Sequence, residues 1–463
     1  MCRTSFIIIL LAALFGLCHS QSYTPTWSSI NSRPLPEWYD QSKFGIFIQW
    51  GVYSVPAYAT PMVPTAEWYW HTLENPDLDD GATQAYHNKS YGPDFSYQSF
   101  APMFKANLFD VQLWSEVIRA SGARYVVLTS KHHEGYTNWP SAESWGWNSA
   151  DVGPMMDIVG TISKEFKQSG LYMGLYYSLF EWYNPLYLAN KDSGVPPTSN
   201  SYITEVMMPQ LLDIVNTYQP DIIWSDGDWE QNSTYWESTD FLAWLYTNSS
   251  VKDTVVTNDR WGADCRGKNG GFWTPTDRYD PLRLVGHKWE NCYTIGTSWG
   301  YNQYEPLAAY QTTTQLLEAM VTTVSCGGNF LLDVGPTSDG IIPLIMQDRL
   351  LDIGDWMGIN GEAIYNSTPW RVQNDTADIW YTYNADSDVI YAFSFTWPVG
   401  GQLQLHSPIG NPYSTIEILG VNAVIQWWGP NHSIPGMKIF LPPLAPSEYP
   451  PHGVYVFALY NVQ

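Results

Sequence analysis

Between residues 100 and 340 the apolar positions recur in one repeating unit: an amphipathic helix, a Gly or Pro break, then a buried strand. Trp114, Val117 and Ile118 share one helical face after the candidate cap Asp110, and Gly122 stops the run before Tyr125-Val-Val-Leu-Thr129. Ile158, Ile162 and Phe166 repeat the pattern, followed by Gly170 and a strand from Leu171 to Ser178. Leu211, Ile214, Val215 and Tyr218 do so again, with Pro220 and then Asp221 to Ser225. Leu317, Met320, Val321 and Val324 make a further copy, with Gly327 and then Phe330 to Val334. Phe44-Gly-Ile-Phe-Ile48 reads as a first strand upstream. Near-continuous apolar strands alternating with helices predict a parallel sheet covered on both faces. A doubly wound sheet and a closed barrel both fit. Polar residues cluster directly after the strand ends, which favours a (β/α)8-like barrel with one catalytic face.

Met346, Leu350, Ile353 and Met357 predict one more helix, ended by Gly361. After about Asn366 the period changes to short alternating strands with no helix between them: Trp380 to Tyr383, Ile390 to Phe395, Gln402 to Leu405, Ile416 to Leu419, Met437 to Leu441 and Val454 to Leu459. That is a small antiparallel β-sandwich. With 463 residues, two domains are the default. The expected division is 21–365 for the barrel and 366–463 for the sandwich, packed together because no low-complexity linker separates them.

The first 20 residues form a class of their own. Met1-Cys2-Arg3, an apolar run from Phe6 to Leu17 and a small-residue exit at Ser20 describe a cleaved signal peptide, 1–20. Six sequons, at Asn88, Asn232, Asn248, Asn366, Asn374 and Asn431, agree with passage through the secretory pathway. Removal of the leader leaves Cys265, Cys292 and Cys326, so at least one thiol is free or pairs between chains. The formal net charge of −24 repels nucleic acid and anionic membranes and favours a neutral substrate. Aromatic residues make up 16% of the chain, and flat rings with a polar edge suit the apolar faces of sugars, although most must fill the two cores.

Candidate chemistry concentrates in four segments beyond predicted strands: Ser130-Lys-His-His-Glu-Gly135, Ile223-Trp-Ser-Asp-Gly-Asp-Trp-Glu230, Thr257-Asn-Asp-Arg-Trp-Gly262 and Pro281 to Cys292. Acidic side chains at strand ends, flanked by Trp, are what a two-carboxylate glycosidase requires: one group donates a proton to the leaving oxygen while the other attacks or positions water.

These same segments resemble the α-L-fucosidases of glycoside hydrolase family 29. The matching motifs are Trp224-Ser-Asp-Gly, Lys131-His-His-Glu-Gly, Asn258-Asp-Arg-Trp and a signature running from Pro281 through Lys288-Trp-Glu to Cys292. Pro36-Glu-Trp, Phe44-Gly-Ile-Phe, Ala66-Glu-Trp-Tyr and Leu331-Leu-Asp-Val-Gly-Pro336 extend the resemblance over roughly residues 25 to 365. It implies a retaining mechanism on terminal α-L-fucose, with no metal and no cofactor. It also implies fucosylated oligosaccharides or glycoproteins as partners, in a secreted or lysosomal setting; a homo-oligomer is compatible with the sequence.

Asp226 is similar to the family nucleophile. Asp277 and Glu290 both remain candidates for the acid/base. Asp277 is preferred because a loop carboxylate can swing to a leaving group, whereas Glu290 falls inside a strand beside Lys288. Glu67, Trp68, His132, His133, Tyr177, Trp224 and Arg260 match sugar-binding positions. Adjacent histidines in a strand face opposite ways, so one of His132 and His133 would serve the sugar and the other the fold. Two positions depart from the family pattern: Gln49 stands where His is usual, and Asp333 where Asn is common. Gln keeps donor and acceptor but carries no charge. A fucose-binding protein that has lost turnover, or a retaining glycosidase for a related sugar, are the alternative readings. Cys292 reads as a buried packing thiol.

Overall fold

The computed structural model describes residues 22–191, 200–429 and 436–463; the expected leader 1–20 and the Asn431 sequon lie outside them. Seven parallel strands form one sheet: β1 Phe44–Ile48, β2 Tyr125–Lys131, β3 Tyr172–Ser178, β4 Ile222–Asp226, β5 Val256–Thr257, β6 Trp289–Thr294 and β7 Gly328–Val334. Their spatial order is β5-β4-β3-β2-β1-β7-β6. Residues 272–273 bridge the two edges, since Asn258 pairs with Phe272 and Trp273 with Trp289, both in parallel. The ring therefore closes as the barrel that the polar residues after the strand ends favour. Gly271 allows this closure, because a Cβ there would sit 1.7 Å from the Thr257 carbonyl oxygen.

The helices Val111–Ala120, Ile158–Gln168, Met208–Tyr218, Ser238–Thr247, Thr313–Ser325 and Leu344–Asn360 cover the barrel. Side chains of Asp110 and Asp157 cap the first two by accepting backbone N–H groups at 3.0 and 2.7 Å. Thr312 and Gln315 form a capping box on the fifth. After β5 and after residues 272–273 no helix intervenes; the loops 258–271 and 274–288 take its place.

Strand alternation sorts the side chains. Phe47, Tyr125, Val127, Tyr176, Ile222, Trp224, Cys292 and Leu331 pack inside the ring. Phe44, Ile46, Ile48, Leu128, Leu175, Tyr177, Ile223 and Leu332 face the helices. Next to Ser130 the register slips, so that Thr129 pairs with Tyr176 but Lys131 with Tyr177. This bulge turns Lys131 outward with Tyr177 rather than inward with Thr129.

The C-terminal unit is a sandwich of a five-stranded antiparallel sheet, β12-β15-β10-β9-β8, and a three-stranded one, β11-β14-β13. In chain order its strands are β8 Thr368–Thr376, β9 Ile379–Asn384, β10 Val389–Ser394, β11 Gln402–Leu405, β12 Thr415–Ile418, β13 Gln426–Trp428, β14 Met437–Phe440 and β15 Tyr455–Tyr460. Strand β10 is buried throughout because both its faces are covered. Ile390 and Ala392 join the sandwich core, while Val389, Tyr391 and Phe393 join the barrel core. Trp356 of the last barrel helix donates to the Val454 carbonyl at 2.8 Å across the same interface. The two units thus share a packed apolar boundary. Cys265, Cys292 and Cys326 are buried and unpaired.

Candidate active site

The polar residues that follow the strands converge on a cavity of about 510 Å³ at the C-terminal end of the barrel. Inward positions of β3, β4 and β6 supply Tyr176, Trp224, Asp226 and Cys292 to its wall. The turn after β2 supplies His132 and His133, and the helix-free loops supply Arg260, Arg266, Thr276 and Asp277. The segment after β1 contributes Gln49, Val63, Thr65, Glu67 and Trp68.

Asp226 ends β4 and is held on both oxygens. Tyr176 donates its hydroxyl to Oδ2 at 2.8 Å, and Arg260 Nη1 donates to Oδ1 at 3.0 Å. Gly227 follows at φ +66°, where a Cβ would crowd Ser178 Oγ at 2.6 Å, so a glycine lets the chain turn away behind the carboxylate. Arg260 is buried, stacks over Trp224 at 4.7 Å, and gives its second Nη to Asp277 Oδ1 at 2.7 Å. One guanidinium therefore bridges the two carboxylates, which a point-charged Lys could not do in the same plane. Burial disfavours the ionised Asp277 carboxyl, but the Arg260 guanidinium overrides it and holds the pKa below the ordinary value. The Asp277 side chain is nevertheless 47% exposed, on a loop rather than in a strand.

Both histidines line the cavity. The expectation that they would split between faces fails because β2 ends at Lys131, and alternation stops with the strand. His132 Nδ1 lies 3.1 Å from Glu134 Oε2. Burial, reinforced by the neighbouring His132, pushes the His133 pKa well below its usual value, which favours the neutral ring. Ser178 donates its one hydroxyl proton to the Phe180 carbonyl at 2.8 Å, so His133 Nδ1 must donate to Ser178 Oγ at 2.7 Å. His133 Nε2 is then a bare acceptor, 3.7 Å from Asp226 Oδ2.

Glu67 is buried, accepts from the Gly300 N–H at 2.9 Å, and has its pKa raised by desolvation. Gln49 uses its carbonyl oxygen to accept from the Thr129 hydroxyl at 2.6 Å.

Two of the expected residues do not line the cavity. Tyr177 alternates to the outer face of β3, where its hydroxyl donates to Gln210 at 2.8 Å and receives the Lys131 ammonium at 3.0 Å. Tyr176, one residue earlier, occupies the inward place. Glu290 does face into the barrel, but two residues before Cys292 on the same side of β6, roughly 6–7 Å deeper. It is fully buried and accepts from Tyr39 at 2.7 Å, Tyr125 at 2.7 Å and Trp224 Nε1 at 2.9 Å. Desolvation raises its pKa, with those donors acting in the opposite sense. Trp224, its donor, lines the cavity while Glu290 does not.

Sequence reasoning missed Phe47, Trp229, Arg266, Thr276 and Trp299, which also line the space, and gave Cys292 a packing role only. Trp229 stood within a quoted segment, and Phe47 within a quoted motif. Arg266, Thr276 and Trp299 come from loops without periodicity. Burial pushes the Cys292 thiol up to about 12, so it offers no thiolate. Among the described residues no cluster of His, Cys, Asp or Glu is arranged to hold a metal ion.

A barrel end carrying an ion-bridged carboxylate pair in an aromatic, sugar-sized cavity defines a glycoside hydrolase. Comparison with known proteins narrows the class. Residues 11–362 match the family described as Alpha-L-fucosidase, and residues 373–460 match the Alpha-L-fucosidase C-terminal domain. The chain is 56% identical over 460 residues to "Alpha-L-fucosidase" of Dictyostelium discoideum, covering 99% of each. It is 44% identical to "Tissue alpha-L-fucosidase" of Homo sapiens, covering 98% of this chain and 97% of the relative. The crystal structure of Thermotoga maritima alpha-fucosidase with a mechanism-based inhibitor superposes with a TM-score of 0.80 at 30% identity, covering 94% of this chain and 99% of that one. The chain belongs to the α-L-fucosidase family.

Proposed function

We propose that the protein releases terminal α-L-fucose from oligosaccharides or glycoproteins by a retaining double displacement, with Asp226 as nucleophile and Asp277 as acid/base. The observation that carries this reading is the Arg260 bridge between the two carboxylates. In the first step an Asp226 oxygen bonds to C1 as the glycosidic C–O bond breaks, and the leaving oxygen takes the Asp277 proton. To donate, Asp277 must leave Arg260 and take up a proton from solvent, and its exposed loop position permits both. Once Asp226 is an ester, Arg260 has one anionic partner left, which favours the ionised Asp277 that the second step needs as a base. Asp277 then takes a proton from water, the oxygen of that water bonds to C1, and the ester bond breaks. Bare His133 Nε2 and buried Glu67 suit hydroxyl groups of the sugar as acceptors, and Gln49, Trp68 and Trp224 complete the wall.

The same reading takes the leader 1–20 as a signal peptide and the protein as a secreted or lysosomal glycoprotein. Asn88, Asn232, Asn248, Asn366 and Asn374 are all exposed, which supports glycan attachment. No helix of the described residues is long and apolar enough to cross a membrane.

The test is chemical rescue. Asp226→Gly should lose several orders of magnitude in turnover while keeping its fold, and azide should restore part of it by forming the inverted fucosyl azide. Near-normal hydrolysis of an aryl fucoside by this variant would refute the assignment.

A further inference from the structure

A second cavity, of about 460 Å³, opens at the same end of the barrel, beside the loops that follow β2 and β3. Its walls include Trp70, Trp145, Trp147, Glu134, Glu143 and Glu181. It shares a partition with the first cavity: Trp68 lines one side and Trp70 the other, and Glu134 on the far side reaches His132 on the near side at 3.1 Å. The catalytic reading makes no use of it.

Trp145 is 87% exposed, the most exposed tryptophan among the described residues. An indole in water forgoes the burial of a large apolar surface, so its display invites an explanation. The turn that carries it is braced. Gly146 N donates to Asp151 Oδ2 at 2.9 Å, and Trp147 N donates to the Ser144 carbonyl at 2.8 Å. Trp147 in turn is fixed by its Nε1, which donates to the Glu134 carbonyl at 3.0 Å. A rigid aromatic surface thus stands over a recess whose polar walls are mainly acceptors. Glu134 and Glu181 are each more than nine-tenths buried there. No Lys or Arg lines the recess, so it would repel an anion. The nearby cation, Lys131, is spent on Glu181 from behind at 2.9 Å.

Apolar ring faces beside hydrogen-bond acceptors, without a cation, fit a neutral pyranose: its C–H face stacks while its hydroxyls donate. We infer that this recess is a second saccharide subsite, which takes a neutral, non-fucose sugar of the substrate glycan next to the cavity that takes the terminal fucose. The inference rests on the fucosidase reading for its substrate, and the experiment separates the two.

The first measurement is binding of a fucose-free, asialo complex N-glycan to the intact enzyme by NMR titration, with the fucose cavity filled by excess L-fucose. Saturable binding is expected, and it should weaken about tenfold or more in Trp145→Ala, a fully solvent-facing change that leaves the fold alone. Glu143→Gln is the second variant and should weaken binding without altering the unfolding midpoint. The second measurement is kinetic. Trp145→Ala should lower kcat/KM on a fucosylated N-glycan by a similar factor, mostly through KM, and leave an aryl fucoside unchanged. Equal binding of the fucose-free glycan by wild type and Trp145→Ala, or no binding at all, overturns the subsite whatever the hydrolytic mechanism proves to be. Loss on both substrates alike would also overturn it, by making Trp145 part of the fucose cavity.

Discussion

Glu290 offers the sharpest separation between a structural and a chemical carboxylate. It accepts three buried donors, from Tyr39, Tyr125 and Trp224, at 2.7 to 2.9 Å. Glu290→Ala strands all three inside the barrel, at about 1–3 kcal/mol each. The sum, roughly 3–9 kcal/mol, is a large part of an ordinary protein's total stability of about 5–15 kcal/mol. Glu290→Ala should therefore unfold or lose roughly 6 °C or more in Tm. Glu290→Gln keeps the shape and one acceptor oxygen, so it should fold with a smaller loss, about 1–3 kcal/mol, as one donor meets an amide. The decisive assay is the leaving-group dependence of kcat/KM for Glu290→Gln, measured alongside its thermal unfolding. A missing general acid hurts poor leaving groups far more than activated ones. Because Glu290 is fully buried and does not line the cavity, the ratio of rates on dinitrophenyl fucoside and a natural disaccharide should match wild type. If Glu290→Gln melts like wild type yet loses about a hundredfold on the disaccharide alone, the reasoning fails and Glu290 is the acid.

Asp277→Ala should show the asymmetry that Glu290→Gln lacks, sparing dinitrophenyl fucoside relative to the disaccharide; equal losses on both would remove Asp277 from the acid role. Gln49→His should change the fucoside specificity constant by roughly three- to a hundredfold, the worth of one neutral to charged hydrogen bond. Its pH profile should bend near the ordinary His value, and superimposable profiles for the two proteins would mean that Gln49 does not touch the substrate. Asp333→Asn should raise Tm at neutral pH and matter less in acid, because burial, with Glu67 beside it, holds the Asp333 pKa well above its ordinary value. Each pKa unit of that rise is worth about 1.4 kcal/mol once the group must ionise, and a Tm gain independent of pH would refute the argument.

The parallel sheet was legible because strands buried on both faces leave continuous apolar runs, β1 falls where its run predicts, and the polar residues after the strand ends pointed to a barrel. What escaped was short or half-polar. Residues 272–273 close the ring through single bridges, too few for any period to register. Strand β8 alternates poorly and breaks register with β9, and β13 spans three residues, Gln426–Trp428. At the site, Asp226, Asp277, His132, His133, Glu67, Trp68, Trp224, Arg260 and Gln49 all reach one cavity. The misplacements concern direction rather than position. A one-residue difference in strand phase separates Tyr176 from Tyr177, and the bulge beside Ser130 is invisible in composition. Glu290 has the inward phase but the wrong depth, and depth follows from register between strands.

The titratable groups of the barrel end pull in two directions, and the difference has one cause. Glu67, Glu290 and Asp333 are buried without a cation in direct contact, and desolvation raises all three. A raised carboxyl contributes stability that is fully present below its unfolded pKa and is lost as pH rises through the folded value. Asp277 carries Arg260 against it and is lowered, so its contribution is present above the unfolded value and lost only as pH falls through the depressed one. The two windows overlap between the lowered Asp277 and the raised carboxyls. There the Arg260 bridge is intact while burial favours the protonated form of the other three carboxyls. Rising pH keeps the bridge but works against the raised carboxyls, with Asp333 the worst placed, since neither of its oxygens has a hydrogen-bond partner.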